Sequence, residues 1–439
     1  MAPPQKKPTA PPLSITLRRE QPRNGRFRPR RCPQRLPPRA LGRASDSPRL
    51  WSQRTRRQGA SHNPDTPIRL DNLFLTRSPR FPDAPIRLDN MILTTRSPRF
   101  LPQRAMPAVT TAAAAPQKVL IVNTNGGGHA NIGFWLAKTL AAQGHSVTLN
   151  TVGSQDDKKM QKPPFSYFNE LTSAGVQTVW ADPSELATKA TGAQFDVVVD
   201  NNGKDLDSVG PVAAFAKQCG AKQFFFVSSA GMYKPTPTPP HLEGDAVKES
   251  AGHAQVEAKL ATMPFSFSSF RPQYFTGYGN NKDCEEFFFD RIVRGRPVLV
   301  PGSGDQMSVV AHAEDVATMM AAAVGNPAAN GAIFNAVTNK AVTLNGMVEL
   351  CAAAAGVEPK IVNYDPKKLP EGVEVKKAFP FRPIHFYSYP ANALKLLDWQ
   401  PKHDLASDLK ERFEFYKASG RANKDMSFEL DDKILASLN

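Results

Sequence analysis

The sequence predicts a doubly wound α/β fold: a parallel sheet with helices on both faces, followed by a smaller C-terminal lobe. Three observations lead there. Apolar strand-like runs alternate with helical patterns through residues 116 to 439, the order that crossover units require. Runs such as FDVVVD and QFFFVSS are apolar almost throughout, which marks strands covered on both sides. The first run, KVLIVN, passes directly into a glycine-rich turn and the opening of a helix, NTNGGGHANIG.

Strands are expected at Val119 to Asn123, Ser146 to Val152, Gln177 to Trp180, Phe195 to Asp200, Gln223 to Ser228 and Phe265 to Phe270. The first connecting helix should run from about Ala130 to Gln143 and stop at Gly144. The fourth should run from about Ser208 to Cys219 and stop at Gly220, because a glycine just past the last turn takes the left-handed conformation that ends a helix. Beyond Arg271 the alternation loosens. Asp283 to Arg294 read as a helix, PVLVPGSGDQ as a strand and turn, and HAEDVATMMAAAV as a helix starting near Glu314. The division expected is a sheet domain over residues 116 to 271 and a smaller lobe over residues 272 to 439.

Charge separates a third segment. Residues 1 to 115 hold 23 of the 55 Lys and Arg but 6 of the 40 acids, so this stretch carries +17 and the remainder −2. It also holds 19 of the 40 prolines and no amphipathic period long enough to bury a core, and is expected to be disordered. Within it DTPIRLDNLFLTRSPRF recurs as DAPIRLDNMILTTRSPRF, a duplication too short and Pro-rich for a solenoid. An Arg-rich, acid-poor leader reads as an organelle transit peptide, with cleavage between Ala105 and Gln117. The competing reading is an over-extended start, since the acid-free stretch from Met91 would serve by itself. No run of about 18 apolar residues exists, so no membrane span is expected. Cys32, Cys219, Cys284 and Cys351 form no C-x-x-C pair, which argues against zinc or a disulfide framework and fits a reducing compartment.

The glycine turn has the arrangement that points backbone N–H groups at a dinucleotide pyrophosphate, with Gly127, Gly128 and Gly133 as the candidate contacts. Its middle glycine is replaced by Ala130, which keeps the backbone from approaching as closely. The second strand ends in Asn150 and Thr151 where an acid would hold ribose hydroxyls, and the first acids, Asp156 and Asp157, lie further along the loop. NAD(P) is therefore not expected to bind tightly. The order of elements, with RPQYFTGYG followed by PGSGDQMSVVAHAEDVA, resembles the atypical extended short-chain dehydrogenases, a Rossmann-type fold. In that superfamily a serine follows strand five, and Ser229 stands there; the alternative is that it only hydrogen-bonds the strand end. The Tyr-x-x-x-Lys pair, in which a lysine ammonium lowers the tyrosine pKa for proton transfer, is replaced by His253 and Glu257 at the same spacing. His253 can shuttle protons with Glu257 orienting it, or the two are a solvated helix face.

Further segments, among them NGGGHANIGFWLAKTL, DNNGKDLD, FFFVSSAGMYK, GYGNNKDCEE and DLKERFEFYKASGR, resemble the chloroplast stem-loop-binding protein family, and within it the a-type. The likeness spans most of residues 118 to 435. It implies a chloroplast (stromal) location, binding of structured messenger RNA and ribosomal RNA, and metal-stimulated endoribonuclease cleavage. A second copy, or the b-type paralogue, is the protein partner to expect. The competing functions are an NAD(P)-dependent reductase or epimerase, and a non-catalytic RNA chaperone or ribosome-assembly factor.

A domain of net −2 lacks the broad basic field that drives phosphate binding, so RNA contacts would be local. The candidates are Lys204 and three clusters, Lys158, Lys159 and Lys162, then Arg291, Arg294 and Arg296, then Lys367, Lys368, Lys376 and Lys377, each of which could equally be a solvated face. Metal-assisted cleavage needs converging carboxylates for magnesium, and DNNGKDLD offers Asp200, Asp205 and Asp207 where the fourth strand ends. The bland alternative is a strand end followed by an N-capping acid. Asp283, Glu285 and Glu286 form a weaker second cluster.

Overall fold

The structure, a computed structural model, describes residues 115–438 apart from Gly127, Thr191 and residues 281–283. The proposed leader up to residue 114, most of the stretch expected to hold its cleavage site, Gly127 and Asp283 lie outside the described residues. Nine elements build the first half of the sheet: β1 (Lys118–Asn123), α1 (His129–Ala142), β2 (Ser146–Thr151), α2 (Phe168–Ser173), β3 (Gln177–Trp180), α3 (Leu186–Lys189), β4 (Val197–Asn201), α4 (Leu206–Gln218) and β5 (Gln223–Val227). Next come α5 (Gly252–Leu260), β6 (Ser266–Pro272), β7 (Tyr274–Thr276), α6 (Glu286–Ile292), β8 (Val298–Pro301), β9 (Met307–Ser308), β10 (Val310–His312), α7 (Ala313–Ala323) and β11 (Ile333–Ala336). The chain closes with β12 (Val342–Thr343), α8 (Leu344–Ala355), β13 (Ile361–Tyr364), α9 (Val375–Ala378), α10 (Ala391–Leu396), α11 (Leu405–Ala418) and α12 (Glu429–Ala436).

Seven parallel strands form one sheet in the order β11-β6-β5-β4-β1-β2-β3. Every residue of β4 and β5 is buried, as their unbroken apolar sequence requires. On one face α1 and α7 pack side by side over Ile121, Val199, Phe225 and Phe270. On the other, α4 and α5 cover Leu120, Val122, Phe224 and Phe226. Strand order reverses beside β1, so the β1–α1 and β4–α4 turns flank a crevice at the carboxyl edge, where such sheets bind ligands. No helix among the described residues is long and apolar enough to cross a membrane.

Two expectations change. A cut at residue 271 does not separate two bodies of chain, because β11 returns to pair with β6, and α7 and α10 pack with the sheet. The smaller lobe, with its own core around Phe288, Val300, Met347 and Phe413, therefore starts near α6 and is interrupted by this return. Helix α6 is also shorter than the expected Asp283 to Arg294. It is followed by Gly295 at φ 64°, which turns the chain toward β8.

Candidate functional site

The glycine turn is built for close packing. Gly128 is the N-cap of α1, and a Cβ there would run into the Phe275 ring. A Cβ on Gly133 would strike the Asn123 side chain. That asparagine donates to the Ala130 carbonyl (3.3 Å) and accepts from Asn201 Nδ2 (2.7 Å), which also reaches the His129 carbonyl at 2.7 Å. Gly133 thus serves packing of helix against strand, while Ala130 is fully buried in the core. Asn150 and Thr151 are fully buried too, so neither takes the place of an exposed ribose-binding acid. The loop beyond them folds back further than its sequence position implies. A Cβ on Gly153 would sit 3.2 Å from Asp157 Oδ2 and 3.0 Å from Asn125 Nδ2, so this acid returns toward the glycine turn.

The old Tyr-Lys positions have been rewired. Glu257 is buried, and both of its oxygens are taken: Arg271 Nε donates to Oε1 (3.0 Å), Arg271 Nη2 to Oε2 (2.6 Å) and Ser269 Oγ to Oε1 (2.6 Å). Its role is to neutralise Arg271, not to orient His253 as the spacing suggests. Arg271 in turn donates to Tyr233 Oη (2.8 Å), whose hydroxyl donates to Asn335 Oδ1 (2.7 Å). Burial pushes the Tyr233 hydroxyl up to about 12, the reverse of an activated phenol. These positions therefore lack the activated phenol and neighbouring lysine that carry proton transfer in a short-chain dehydrogenase.

His253 stands at the start of α5, half-buried, 5.9 Å from the Phe226 ring. Burial lowers its pKa below the usual histidine value, and the nearby charges of Glu257 and Asp205 oppose that shift. Lys204 is exposed on the neighbouring turn, whose carbonyl abuts Gly252. His253 and Lys204 thus stand on adjoining segments, the start of α5 and the turn between β4 and α4.

The carboxylates expected to gather magnesium are not brought together. Asp205 is the N-cap of α4, with Oδ1 accepting from Ser208 N (3.0 Å) and Ser208 Oγ (2.6 Å). Asp207 is exposed in the first turn of that helix. Asp200 is fully buried. Its Oδ1 accepts from Asn202 N (2.9 Å) and Gly203 N (2.7 Å), while Oδ2 has no partner, and burial pushes its pKa up to about 6. The trio does not fit a shared ion. Among the described residues three such donors converge only at His312, Glu314 and His403. There the imidazoles stack parallel at 3.5 Å, and both His403 nitrogens already face Asp408 and Glu314, an arrangement that joins α7 to the chain entering α11.

The expected arginine cluster is also committed elsewhere. Arg291 grips Asp431 with two bonds of 2.8 Å, Arg294 donates to the Asp290, Arg421 and Lys424 carbonyls, and Arg296 pairs with Asp432. All three stack near Phe428, so they fasten the C-terminal helix to the lobe. A guanidinium outside that cluster, Arg382, stands beside the turn that follows β5. It lies 3.9 Å from the Phe386 ring centroid, half-buried, with one nitrogen 3.5 Å from the Gly231 carbonyl and no carboxylate paired to it among the described residues. A Cβ on Gly231 would lie 3.1 Å from Ser229 Oγ and 3.2 Å from Arg382 Nη2, which puts the retained serine and this cation on either side of one glycine. Ser229 caps its own short turn by accepting from Gly231 N at 3.1 Å. Arg382 was missed because it lies 153 positions beyond Ser229; its signal was an arginine in an aromatic stretch with no acid between Glu374 and Asp398.

Residues 126–336 match the NAD dependent epimerase/dehydratase family. The chain is 34% identical over 336 residues to the chloroplast stem-loop binding protein of 41 kDa b from Arabidopsis thaliana, covering 75% of this chain and 87% of that protein. Among solved structures, a UDP-glucose-4-epimerase from Stenotrophomonas maltophila with bound NAD and formylated UDP-arabinopyranose superposes with a TM-score of 0.54 at 17% identity, over 70% of this chain and 99% of that one. Pal from Bacillus thuringiensis gives 0.52 at 18% identity, over 68% and 99%. These two likenesses show the fold, that of an extended short-chain dehydrogenase. With 34% identity over an alignment that spans 87% of the Arabidopsis relative, the chain belongs to the chloroplast stem-loop binding protein family.

Proposed function

We propose that this protein works in the chloroplast as a stem-loop RNA-binding protein and endoribonuclease, holding messenger and ribosomal RNA in the crevice at the carboxyl edge of its sheet. The observation that carries this reading is the 34% identity to a chloroplast stem-loop binding protein along most of both chains. Arg382 and Lys204 supply local phosphate contacts that a domain without a basic field needs. His253, neutral because burial lowers its pKa, takes the proton from a ribose 2′-hydroxyl as that oxygen attacks the adjacent phosphorus. The P–O5′ bond breaks as the P–O2′ bond forms, the leaving 5′-oxygen takes a proton from water, and the products are a 2′,3′-cyclic phosphate and a 5′-hydroxyl. Asp205 and Asp207 keep their helix-end roles, and no step is assigned to them.

The test is cleavage and binding of one stem-loop RNA, run with magnesium and with chelator. His253→Ala should slow cleavage by two orders of magnitude or more with affinity unchanged, and Arg382→Ala should weaken affinity about tenfold. Full cleavage by His253→Ala removes the histidine from the chemistry. Binding without cleavage by the wild type favours a chaperone or assembly factor.

One observation favours a second reading, a dinucleotide enzyme of the epimerase type. Thr151 Oγ1, Asp200 Oδ2, Asn201 Oδ1 and Ser228 Oγ are buried at the sheet edge without partners, and Asp157 returns to the glycine turn. Calorimetry with NAD(H) and NADP(H) decides it: weak or no binding is expected, and micromolar binding makes the epimerase reading the stronger.

A further inference from the structure

Between the turn after β7 and the C-terminal end of α11 lies a cavity of about 230 Å³ with an aromatic wall of Tyr167, Tyr278 and Phe415. Tyr167 and Tyr278 stack at 4.6 Å with their planes 12° apart, and Phe415 lies 5.5 Å from Tyr278. The wall is held from behind. Tyr278 donates its hydroxyl to Glu170 Oε1 (2.7 Å), and its carbonyl accepts from Trp135 Nε1 (3.0 Å).

Carboxylates stand in the same cavity. Glu285 is 1% exposed; its Oε1 takes the Thr276 hydroxyl and faces Arg412, but its Oε2 is buried with no hydrogen-bond partner. Glu286 beside it has a carboxyl raised in pKa chiefly by burial. A buried acceptor without a donor is costly to keep, so this oxygen is suited to an incoming N–H. Exposed Lys162 sits at the rim. The cavity also adjoins the glycine turn, since Asn280 in its wall lies 3.3 Å from where a Cβ of Gly128 would be.

A flat π surface, a carboxylate oxygen in want of a donor and a cation at the rim fit a nucleobase with its phosphate. The bases differ in what they offer a carboxylate. Guanine presents N1–H and N2–H side by side, adenine and cytosine one amino group next to an acceptor, and uracil a single N–H between two carbonyls. We propose that the cavity takes one unpaired guanine of the bound RNA, stacked on the aromatic wall, with Glu285 Oε2 accepting from its Watson–Crick edge and Lys162 meeting its phosphate. The proposal rests on the RNA reading above and adds to it a base preference. Its volume admits a single base and excludes a base pair, so the guanine must come from a loop, bulge or end.

The experiment uses the whole protein, two hairpins that share a stem and differ by one loop G→U change, and the mononucleotides GMP and UMP. GMP should bind at least tenfold tighter than UMP, and the loop-G hairpin about tenfold tighter than the loop-U hairpin. Ser419→Trp, which plugs the rim from an exposed position, should erase both preferences while leaving loop-U affinity unchanged. Glu285→Gln should do the same where circular dichroism shows it folded. Equal binding of both hairpins, or a guanine preference that survives Ser419→Trp, overturns the cavity and leaves the RNA reading standing. Failure of the wild type to bind either hairpin overturns the RNA reading, and this proposal with it.

Discussion

Asp200 is the residue whose chemistry is most out of balance with its surroundings. One carboxylate oxygen is bonded to two backbone N–H groups and the other is sealed and unpaired. Burial pushes its pKa up to about 6, against roughly 3.9 in an unfolded chain. Below the unfolded value both states are protonated and the aspartate costs nothing. As pH rises toward 6 the unfolded chain ionises first, so stability falls; above 6 the loss is complete, on the order of 3 kcal/mol. Asp200→Asn keeps an oxygen for Asn202 and Gly203. It should raise the melting temperature at pH 8 and have little effect near pH 4, and an equal shift at both would contradict this account. Lower RNA cleavage by the same variant would show that the crevice retains the carboxylate for function. At this scale the sequence was readable where spacing along one helix decides position, as for His253 and Glu257. It was silent on partners: the guanidinium that claims Glu257 comes from β6, 14 residues on, and no local pattern announces it.

Among the elements, α12 shows how a charged cluster misleads. Arg291, Arg294 and Arg296 beside three phenylalanines have the composition of a nucleic-acid face. The acids that pair with Arg291 and Arg296, Asp431 and Asp432, lie some 140 residues away and come back on α12. Arg291 is the most enclosed of the three, stacked 3.4 Å from the Phe287 ring centroid. Arg291→Ala strips a bidentate partner from nearly buried Asp431, a change that costs about 3–5 kcal/mol locally. The expected result is rapid proteolysis near residue 425 with stem-loop RNA affinity within twofold of wild type; a tenfold loss of affinity would return this arginine to the RNA surface. The elements of the sheet were legible because apolar runs and C-cap glycines are local signals, and strands β1 to β6 fall within about two residues of expectation. The start of α4 moved from Ser208 to Leu206 because the capping box pairs Asp205 with Ser208, so the serine lies inside the helix it was expected to open.

For the molecule as a whole, the alternation of patterns conveyed the architecture and hid its interleaving. Nothing in the composition of residues 333–336 marks them as the seventh strand of a sheet whose other six precede residue 273, because long-range pairing leaves no local trace. That return sets an order of events for a chain made from its N-terminus. When residue 272 has emerged, six strands are in place and β6, buried on both faces in the finished protein, is an open edge. The strand that seals it is not yet made. An exposed apolar edge recruits other chains, so a nascent polypeptide halted before residue 336 is sticky in a way the completed one is not. A fragment of residues 116–271 should sediment as aggregate on ultracentrifugation, whereas residues 116–439 remain in the supernatant, and a soluble, cooperatively melting 116–271 would contradict this. Newly translated chains therefore pass through a window, roughly sixty residues wide, in which this edge has nothing of their own to cover it.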